Sequence, residues 1–284
     1  MTPAAAAAAR PVTVIDPPAL TPGTLWRRLI LLRRHGHLLA ALTAHRIRVR
    51  YKGSLLGPAW AILHPVAMMV IFAAIFSVIV RVPSTGHPYA LVAYTGLLPW
   101  TAFAAALGSA SGSLVSHAAL VTRVYFPREI LPLTYVLTAL FDLVVASSVL
   151  GGMLWWYSVP MTAAVLWVVP MLLLLGSLAT AASLILCAVN VRFRDVGVAM
   201  PLLLQLGMFA APVVYPLEAV PASIRGLYLL NPMVGVIDGF RRAVLEGTGP
   251  DPAAIAVSIA AVVVLLPAAW IWFAHVEATM ADHV

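Results

Sequence analysis

Long apolar runs without charged residues constrain this chain more than any other feature of its sequence. The first run follows Lys52, the only lysine, and holds no Asp, Glu, Lys or Arg from Gly53 to Val80. About 20 apolar residues in a helix are enough to cross the hydrocarbon core of a bilayer. A spanning segment must be helical, because an open strand would leave backbone groups unpaired in lipid. This run therefore predicts a transmembrane helix, with the basic segment before it on the cytoplasmic side.

Six such runs divide the chain, and each predicts a membrane span. The predicted spans are approximately 55–80, 89–116, 131–156, 161–189, 196–215 and 253–275. Six crossings put both termini on one side of the membrane, and the distribution of Lys and Arg makes that side the cytoplasm. The predicted outer segments hold few basic residues, namely Arg81, Arg225, Arg241 and Arg242. The sequence therefore predicts an all-α, multi-pass membrane protein with both termini in the cytoplasm.

The composition excludes several classes of protein. With 62% hydrophobic and 10% charged residues, the chain is unlike a soluble domain, in which about a quarter of residues are charged. The net charge of +7 would suit nucleic acid, but more than half of the basic residues precede Ser54, where they can meet anionic lipid head groups. Cys187 is the only cysteine, and His35 and His37 lack acidic or thiolate partners. We therefore expect no nucleic-acid partner, no disulfide and no metal site.

The segment before the first span is basic and amphipathic. Residues 1–24 are rich in Ala and Pro and predict a flexible cytoplasmic tail. Leu25–Ser54 alternates Leu-rich and Arg-rich turns, which favours a helix on the inner membrane surface. The alternation in Arg46–Arg50 would also suit a strand, but a single strand has no sheet to join. The residues of interest at the end of this helix are Arg46, Arg48, Arg50, Tyr51 and Lys52.

The loop between the second and third predicted spans is short and carries aromatic and charged residues. Pro127 and Pro132 prevent one continuous helix through the turn. The exposed side chains suit docking on another protein, although an ordinary polar hairpin loop with interfacial aromatics would look the same. The residues concerned are Arg123, Tyr125, Phe126, Arg128 and Glu129.

The segment Leu217–Pro250 is too polar for a further crossing and too patterned for a plain linker. Asn231 followed by Pro232 is a helix-start signal. Asp238, Arg241, Arg242 and Glu246 then fall at spacings that let opposite charges pair along one helix face. We predict two short helices on or in the outer leaflet before the last span.

One acidic residue lies inside a predicted span. Asp142 is near the middle of the third span, where an uncompensated carboxylate costs at least about 2.5–3.5 kcal/mol. It must be protonated, paired or in contact with water. A proton relay and a hydrogen bond to a neighbouring helix both satisfy this requirement. We favour the hydrogen bond, because the sequence places no Lys or Arg at membrane depth to complete a relay.

Aromatic residues in the first two spans have two interpretations. Aromatic faces stack against sugar rings, so these side chains could line a path for a polysaccharide, or they could pack in the core or face lipid. The candidates are Phe72, Phe76, Tyr94, Trp100 and Phe103. Lys52 is not preceded by the glycine pattern of a P-loop, so the chain cannot hydrolyse ATP by that route.

The segment Arg50-Tyr-Lys-Gly-Ser-Leu-Leu-Gly-Pro-Ala-Trp60, followed by Pro65, resembles the R-Y-K-x-S-x-L-G-x-x-W-x-x-x-x-P pattern of type-2 ABC exporter permeases. These are the membrane subunits that export O-antigen, teichoic acid and capsular polysaccharides. The resemblance extends from about residue 25 to the C-terminus. Further matching stretches are Gly96-Leu-Leu-Pro-Trp100, Phe126-Pro-Arg-Glu129, Asn190-Val-Arg-Phe-Arg-Asp195, Pro212–Tyr215 and Leu230-Asn-Pro232.

The resemblance implies a single transmembrane domain over residues 25–284 in the bacterial cytoplasmic membrane. It implies a homodimer bound to two copies of a separate ATPase, which would bind ATP and Mg while this chain holds no cofactor. Residues 25–54 would be the interface helix, the loop around Tyr125–Glu129 the coupling helix, and Leu217–Glu246 the periplasmic helices at the channel exit. Spans one, two and five would surround a path for a glycan carried on a polyprenyl diphosphate lipid.

Two alternatives to polysaccharide export remain at this stage. One is a permease of the same architecture that exports a drug, an antibiotic or a simple lipid. The other is an intramembrane transferase that uses Asp142 or His64. The transferase would turn over substrate without an ATPase and would depend strongly on Asp142.

Overall fold

The computed structural model describes residues 22–79, 86–124 and 126–280. Within these ranges the chain is helical, with short connections and no strand. Most of the predicted tail (1–24), as well as Arg81 and Tyr125, lies outside the described residues.

Two helices, not one, precede the first span. They are α1 (Pro22–Arg34) and α2 (Gly36–Tyr51). The helix predicted over 25–54 breaks at His35, whose φ of −94° and ψ of 16° depart from helical values. Gly36 is a poor helix former, and the break lets the two halves pack on different helices, α1 on the last helix of the chain and α2 on the third long helix.

The remaining helices follow the predicted order. They are α3 (Ala59–Ala73, continued by a π-helical turn Ala74–Ile79), α4 (Tyr89–Ser111), α5 (Ser113–Ser116), α6 (Ala118–Arg123), α7 (Ile130–Trp156), α8 (Val168–Arg192, preceded by a 3₁₀ turn Ala163–Trp167), α9 (Asp195–Phe209), α10 (Ala222–Leu229), α11 (Pro232–Arg241, followed by a π-helical turn Arg242–Glu246) and α12 (Pro252–Met280). A 3₁₀ turn, Leu217–Ala219, lies between α9 and α10.

Five of the six predicted spans are helices long and apolar enough to cross a membrane. They run over Ala59–Phe76, Tyr89–Ser111, Ile130–Trp156, Ala163–Arg192 and Pro252–Glu277. The first begins four residues later than predicted, because Gly53 and Gly57 adopt left-handed φ values of 79° and 52° and form a turn before Pro58. All-α, multi-pass architecture is confirmed.

The predicted fifth span differs from the structure. It was expected over 196–215, but α9 holds 15 residues and ends at Phe209. At 1.5 Å per residue this helix is about 22 Å long, which is shorter than the hydrocarbon core of about 30 Å. The chain unwinds ahead of Pro212, whose ring cannot continue a helix without losing a backbone hydrogen bond.

Helix α4 lies at the centre of the molecule. It packs against α3, α7, α8, α9 and α11, and Leu91, Tyr94, Leu97 and Leu98 on it are fully buried. The short helix α11 is also buried, against α4, α8 and α12. Its close approach requires Gly235, because a Cβ there would lie 2.3 Å from the Ala254 carbonyl oxygen.

Candidate functional site

The loop predicted to dock on another protein is only partly exposed. Arg123 and Val124, at the end of α6, are open to solvent, and Val124 is 52% exposed. Phe126 instead lies in a core cluster with Leu114 and Ile130. Tyr125 lies outside the described residues. Among the described residues of this loop, the most exposed surface is therefore the end of α6.

The rest of this loop is tied to the two ends of the chain. Arg28 of α1 lies between two carboxylates, with its Nη1 2.8 Å from Glu129 Oε1 and in contact with Glu277 of α12. Arg128 Nη1 donates to the Glu277 backbone oxygen at 2.7 Å. Glu129 is 2% exposed, and burial together with the Glu277 carboxylate raises its pKa above the ordinary value. Arg128 and Glu129 thus join α1, α7 and α12.

The basic residues of α2 point in different directions. Arg48 and Lys52 are exposed, and Arg48 Nε donates to the Ala44 backbone oxygen at 3.2 Å. The Arg46 guanidinium lies 3.3 Å above the ring centroid of Tyr135 on α7. Arg46 Nη2 is also 3.4 Å from Nε2 of His117, whose Nδ1 is 2.9 Å from the Ser113 backbone oxygen. His117 therefore accepts from Arg46 and donates from Nδ1.

Asp142 is held by the end of α2. The Tyr51 hydroxyl donates to Asp142 Oδ1, and Arg50 Nη1 lies 2.8 Å from Oδ2, as a close charge pair without aligned hydrogen-bond geometry. Burial, reinforced by this hydrogen bond, raises the pKa of Tyr51 to about 12. The premise that no Lys or Arg reaches membrane depth was wrong, because α2 packs along α7 and brings Arg50 to the carboxylate. The favoured interpretation, a hydrogen bond to a neighbouring helix, agrees with this geometry.

His64 shares a small cavity with Asp142. The cavity holds about 110 Å³ and is also lined by Arg50, Trp60 and Thr101. Ligand sites usually measure about 300–1,000 Å³. The geometry therefore gives little room for the sugar or acyl donor that an intramembrane transferase would need here.

Four of the five predicted path-lining aromatics, Phe72, Phe76, Trp100 and Phe103, form an aromatic cluster within one core of the chain, and Tyr94 belongs to another core cluster. Phe72 and Phe76 have ring centroids 6.2 Å apart, and Trp100 and Phe103 are 5.9 Å apart. Tyr94 is fully buried, and its hydroxyl donates to the Ala146 backbone oxygen at 2.9 Å. Phe76 and Phe103 are partly exposed. Contact of these rings with a transported glycan remains a prediction.

The unwound segment after α9 is stabilised by side chains that cap its backbone carbonyls. Six carbonyl oxygens, from Phe209 at the end of α9 to Tyr215 in the segment, accept hydrogen bonds from side chains. The pairs of donor side chain and accepting backbone residue, in the order of the acceptors, are Tyr215 to Phe209, Asn231 to Ala210, Arg241 to Pro212 and Val213, Tyr89 to Val214, and Arg241 to Tyr215. Non-helical backbone at membrane depth requires such internal partners, because lipid offers none.

Arg241 contributes most to this capping, and it needs a glycine beside it. Its Nη2 donates to Pro212 at 2.7 Å and to Val213 at 3.0 Å, and the residue is 3% exposed. A Cβ at Gly96 of α4 would lie 2.1 Å from the Val213 oxygen and 2.5 Å from Arg241 Nη2. Gly96 therefore creates the space in which the guanidinium and the unwound backbone meet.

The charged residues predicted on the short helices are only partly paired. Asn231 caps α11 as predicted and accepts from the Met233 N–H at 3.0 Å. Arg242 Nε lies 3.7 Å from Glu246 Oε2. Asp238 does not pair with Arg241 in this way, because Arg241 turns to backbone carbonyls, and Asp238 Oδ2 has no hydrogen-bond partner among the described residues. Burial raises the pKa of Asp238 from 3.8 to about 6.

Sequence reasoning missed three residues of these arrangements. Tyr89 stacks on Phe76, with ring centroids 5.6 Å apart, and its hydroxyl caps the Val214 carbonyl. His117 contacts Arg46, and Glu277 binds Arg28. Glu277 had a usable signal, since it is an acidic residue near the end of an apolar helix. The roles of Tyr89 and His117 depend on distant segments and leave no local pattern.

The family model described as ABC-2 type transporter matches residues 37–245 of this chain. The matched region runs from α2 to α11 and includes both the loop between α6 and α7 and the capped segment after α9.

Several characterised bacterial proteins are similar along most of their length. An O-antigen export system permease protein RfbA of Myxococcus xanthus is 34% identical over 84% of this chain and 92% of its own length. A protein of the same name from Klebsiella pneumoniae is 26% identical over 74% of this chain and 81% of its own. The polysialic acid transport protein KpsM of Escherichia coli is 28% identical over 73% and 81%.

Proposed function

The chain belongs to the ABC-2 type transporter membrane family, and from this membership we propose that it is the permease subunit of a polysaccharide exporter. The observation that carries the proposal is the alignment, along most of their length, with relatives named for the export of O-antigen and polysialic acid. The five long apolar helices supply the membrane-spanning part that such a subunit needs.

The proposed substrate is a glycan linked to a polyprenyl diphosphate lipid, such as O-antigen, teichoic acid or another cell-wall or capsule polysaccharide. A lipid carrier keeps the polymer at the membrane, where the helices of this chain can receive it. The aromatic cluster on α3 and α4 supports a carbohydrate substrate, because rings stack on the apolar faces of sugars. Phe76 and Phe103 carry this argument best, since they are the partly exposed members.

The proposed assembly is a homodimer of this chain with two copies of an ABC ATPase in the bacterial cytoplasmic membrane. ATP and Mg would bind to the ATPase, whose conformational change would reach this chain through the end of α6. Arg123 and Val124 provide the exposed surface there. The link from Arg128 and Glu129 to α1 and α12 supports a role in transmission, since movement of this loop would move three helices together.

Export is tested by removing the gene and restoring it on a plasmid in the native host. We expect the deletion strain to lose one surface polysaccharide and to accumulate its lipid-linked form inside the cell, as measured by glycan staining and lipid mass spectrometry. Unchanged surface glycan together with greater sensitivity to a drug would favour the drug or lipid exporter instead.

Partnership with an ATPase is tested by native mass measurement of the purified complex. We expect two copies of this chain with two copies of a P-loop ATPase. Val124→Glu places a charge on the exposed end of α6 and should abolish both co-purification and export, while Gly226→Ser on α10 should change neither. Stable isolation of the chain without an ATPase, under conditions that preserve other membrane complexes, would contradict the proposed assembly.

A further inference from the structure

A cavity of about 540 Å³ lies between α2, the end of α4, the α5–α6 turn and the start of α7. Its volume is within the range of small-molecule sites, about 300–1,000 Å³. It lies on the same side of the helices as the partner-facing loop, because α4 ends there and α7 begins there. The cavity is separate from the aromatic cluster on α3 and α4 and from the capped segment after α9.

One wall of the cavity is basic. It carries His45, Arg46 and Arg50 from α2 and His117 from the turn between α5 and α6. No described residue that lines the cavity is a carboxylate. Arg50 forms an ion pair with Asp142, whereas Arg46 contacts the Tyr135 ring and His117. Arg46 therefore keeps a positive charge without an acidic partner among the described residues.

The geometry of Arg46 suits an anion with several oxygens. The central carbon of its guanidinium lies 3.3 Å from the centroid of the Tyr135 ring, so the position of the group is restrained before a ligand arrives. A stacked guanidinium keeps its edge donors available, and these donors match the oxygens of a phosphate. His117 contacts the group through Arg46 Nη2.

Much of the remaining lining is apolar. It includes Leu42, Leu120 and Leu131, together with Val49, which is 56% exposed. A lining that combines basic and apolar side chains matches a molecule with an anionic head and a hydrocarbon body. Basic pockets between membrane helices on the cytoplasmic side are known binding sites for phosphate-bearing lipid head groups.

We propose that this cavity binds the phosphate head group of a lipid, with Arg46 as its main donor and the lipid chains against the apolar side chains of the lining. The ligand chemistry is a phosphate or diphosphate ester on a hydrocarbon anchor. Two sources supply it, an anionic membrane phospholipid and the polyprenyl diphosphate carrier. Only the second source rests on the proposed export function.

The test is a native mass titration of the purified full-length chain with three probes: phosphatidylglycerol, a polyprenyl diphosphate and uncharged diacylglycerol. We expect at least one phosphate-bearing probe to bind and diacylglycerol to bind much more weakly. Binding of phosphatidylglycerol identifies a structural phospholipid site, and binding of the diphosphate alone identifies a carrier site. Failure of both phosphate probes, or equal binding of diacylglycerol, overturns the inference whether or not the chain exports polysaccharide.

The variants assign the site to Arg46. Arg46→Gln should weaken binding of the phosphate probe by about tenfold or more, because a charge-assisted hydrogen-bonded contact is lost. Arg46→Lys keeps the charge without the planar fork and should give an intermediate loss. Arg123→Gln removes an equal charge outside the cavity and should bind as the original chain does. If both Arg46→Lys and Arg46→Gln bind the phosphate probe as the original chain does, the assignment is overturned. If Arg46→Gln misfolds, the binding by Arg46→Lys alone decides the assignment.

Discussion

Arg241 binds backbone oxygens where a buried arginine would ordinarily face a carboxylate. Three carbonyls of the unwound segment accept from its two Nη atoms. The segment can leave the helix inside the protein because these side-chain donors replace the lost backbone bonds. These hydrogen bonds of Arg241 explain why α9 can end early. The space that the guanidinium needs explains why α4 has a glycine at position 96.

Gly96→Ala should destabilise the protein. The added Cβ would meet the Val213 oxygen and the Arg241 guanidinium, so one of them must move. Overpacking of this kind costs about 1–3 kcal/mol, with the loss of Arg241 hydrogen bonds in addition. Thermal unfolding in detergent measures the effect. Gly151→Ala on α7 is the matched control, because a Cβ there meets no atom within 4 Å. Equal melting of both variants would contradict the clash.

Asp238 should give the protein a pH-dependent stability. Its pKa is raised from 3.8 to about 6 by burial, so the folded state holds this proton more tightly than the unfolded state. Stability should therefore fall as the pH rises from about 4 to about 6, by about 3 kcal/mol from this group. Asp238→Asn should lose that part of the slope in thermal unfolding measured from pH 4 to 7. The exposed neighbour variant Glu246→Gln should retain it.

At the scale of elements, the contact of α2 with α7 explains how a carboxylate is tolerated in a span. Arg50 and Tyr51 lie at the end of α2 and bind the two oxygens of Asp142. These contacts of Arg50 and Tyr51 with Asp142 fix the position of α2 along α7. It also removes the need for a catalytic role to explain Asp142.

Asp142→Asn tests this structural role against the transferase. The amide oxygen can still accept from Tyr51, so we expect the variant to fold and to retain most export in a complemented deletion strain. Loss should be greater in Asp142→Leu, which can accept no hydrogen bond from Tyr51. Complete loss of activity in a normally folded Asp142→Asn protein would instead support proton transfer at this site.

At the junction of α1, α7 and α12, Arg28 forms the ion pairs with both carboxylates. Arg28→Gln leaves Glu129 and Glu277 close together without their cation, and Glu129 is almost fully buried. Removing one partner of a buried ion pair costs about 3 kcal/mol or more. Hydrogen exchange should rise in α1 and at the end of α12 but not in α4. Arg33→Gln, an exposed change on the same helix, should leave exchange unchanged.

The lengths of the runs without charged residues predicted most of the helices, because a membrane span must be apolar and helical. It could not predict that α9 ends at Phe209, since that end depends on Arg241, 32 positions later in the chain. The break at His35 was also missed, because it follows from packing of α1 and α2 on different helices. Capping by Asn231 was predicted because its signal is local.

At the scale of the whole molecule, the sequence identified the types of side chain in the candidate site better than their surroundings. Glu129 and Phe126 were expected on a partner-facing loop, yet both are buried within one chain. A short loop pattern does not reveal that α1 and α12 return to cover it. Tyr94 is a similar case. The run without charged residues places it in a helix, but it does not show that the side chain is buried. The family match, which extends over residues 37–245, gives a more specific result than any of these sites.

The orientation of the molecule can be tested because its only cysteine is buried. Cys187 is fully inaccessible, so the unchanged chain should not react with a membrane-impermeant maleimide. Gly226→Cys on α10, where a Cβ meets no atom within 4 Å, should react in right-side-out spheroplasts. Arg194→Cys, exposed between α8 and α9, should react only in inside-out vesicles, because the basic loops are expected in the cytoplasm. The reverse labelling would place α6 and its partner surface outside the cell, where no ATPase could reach it.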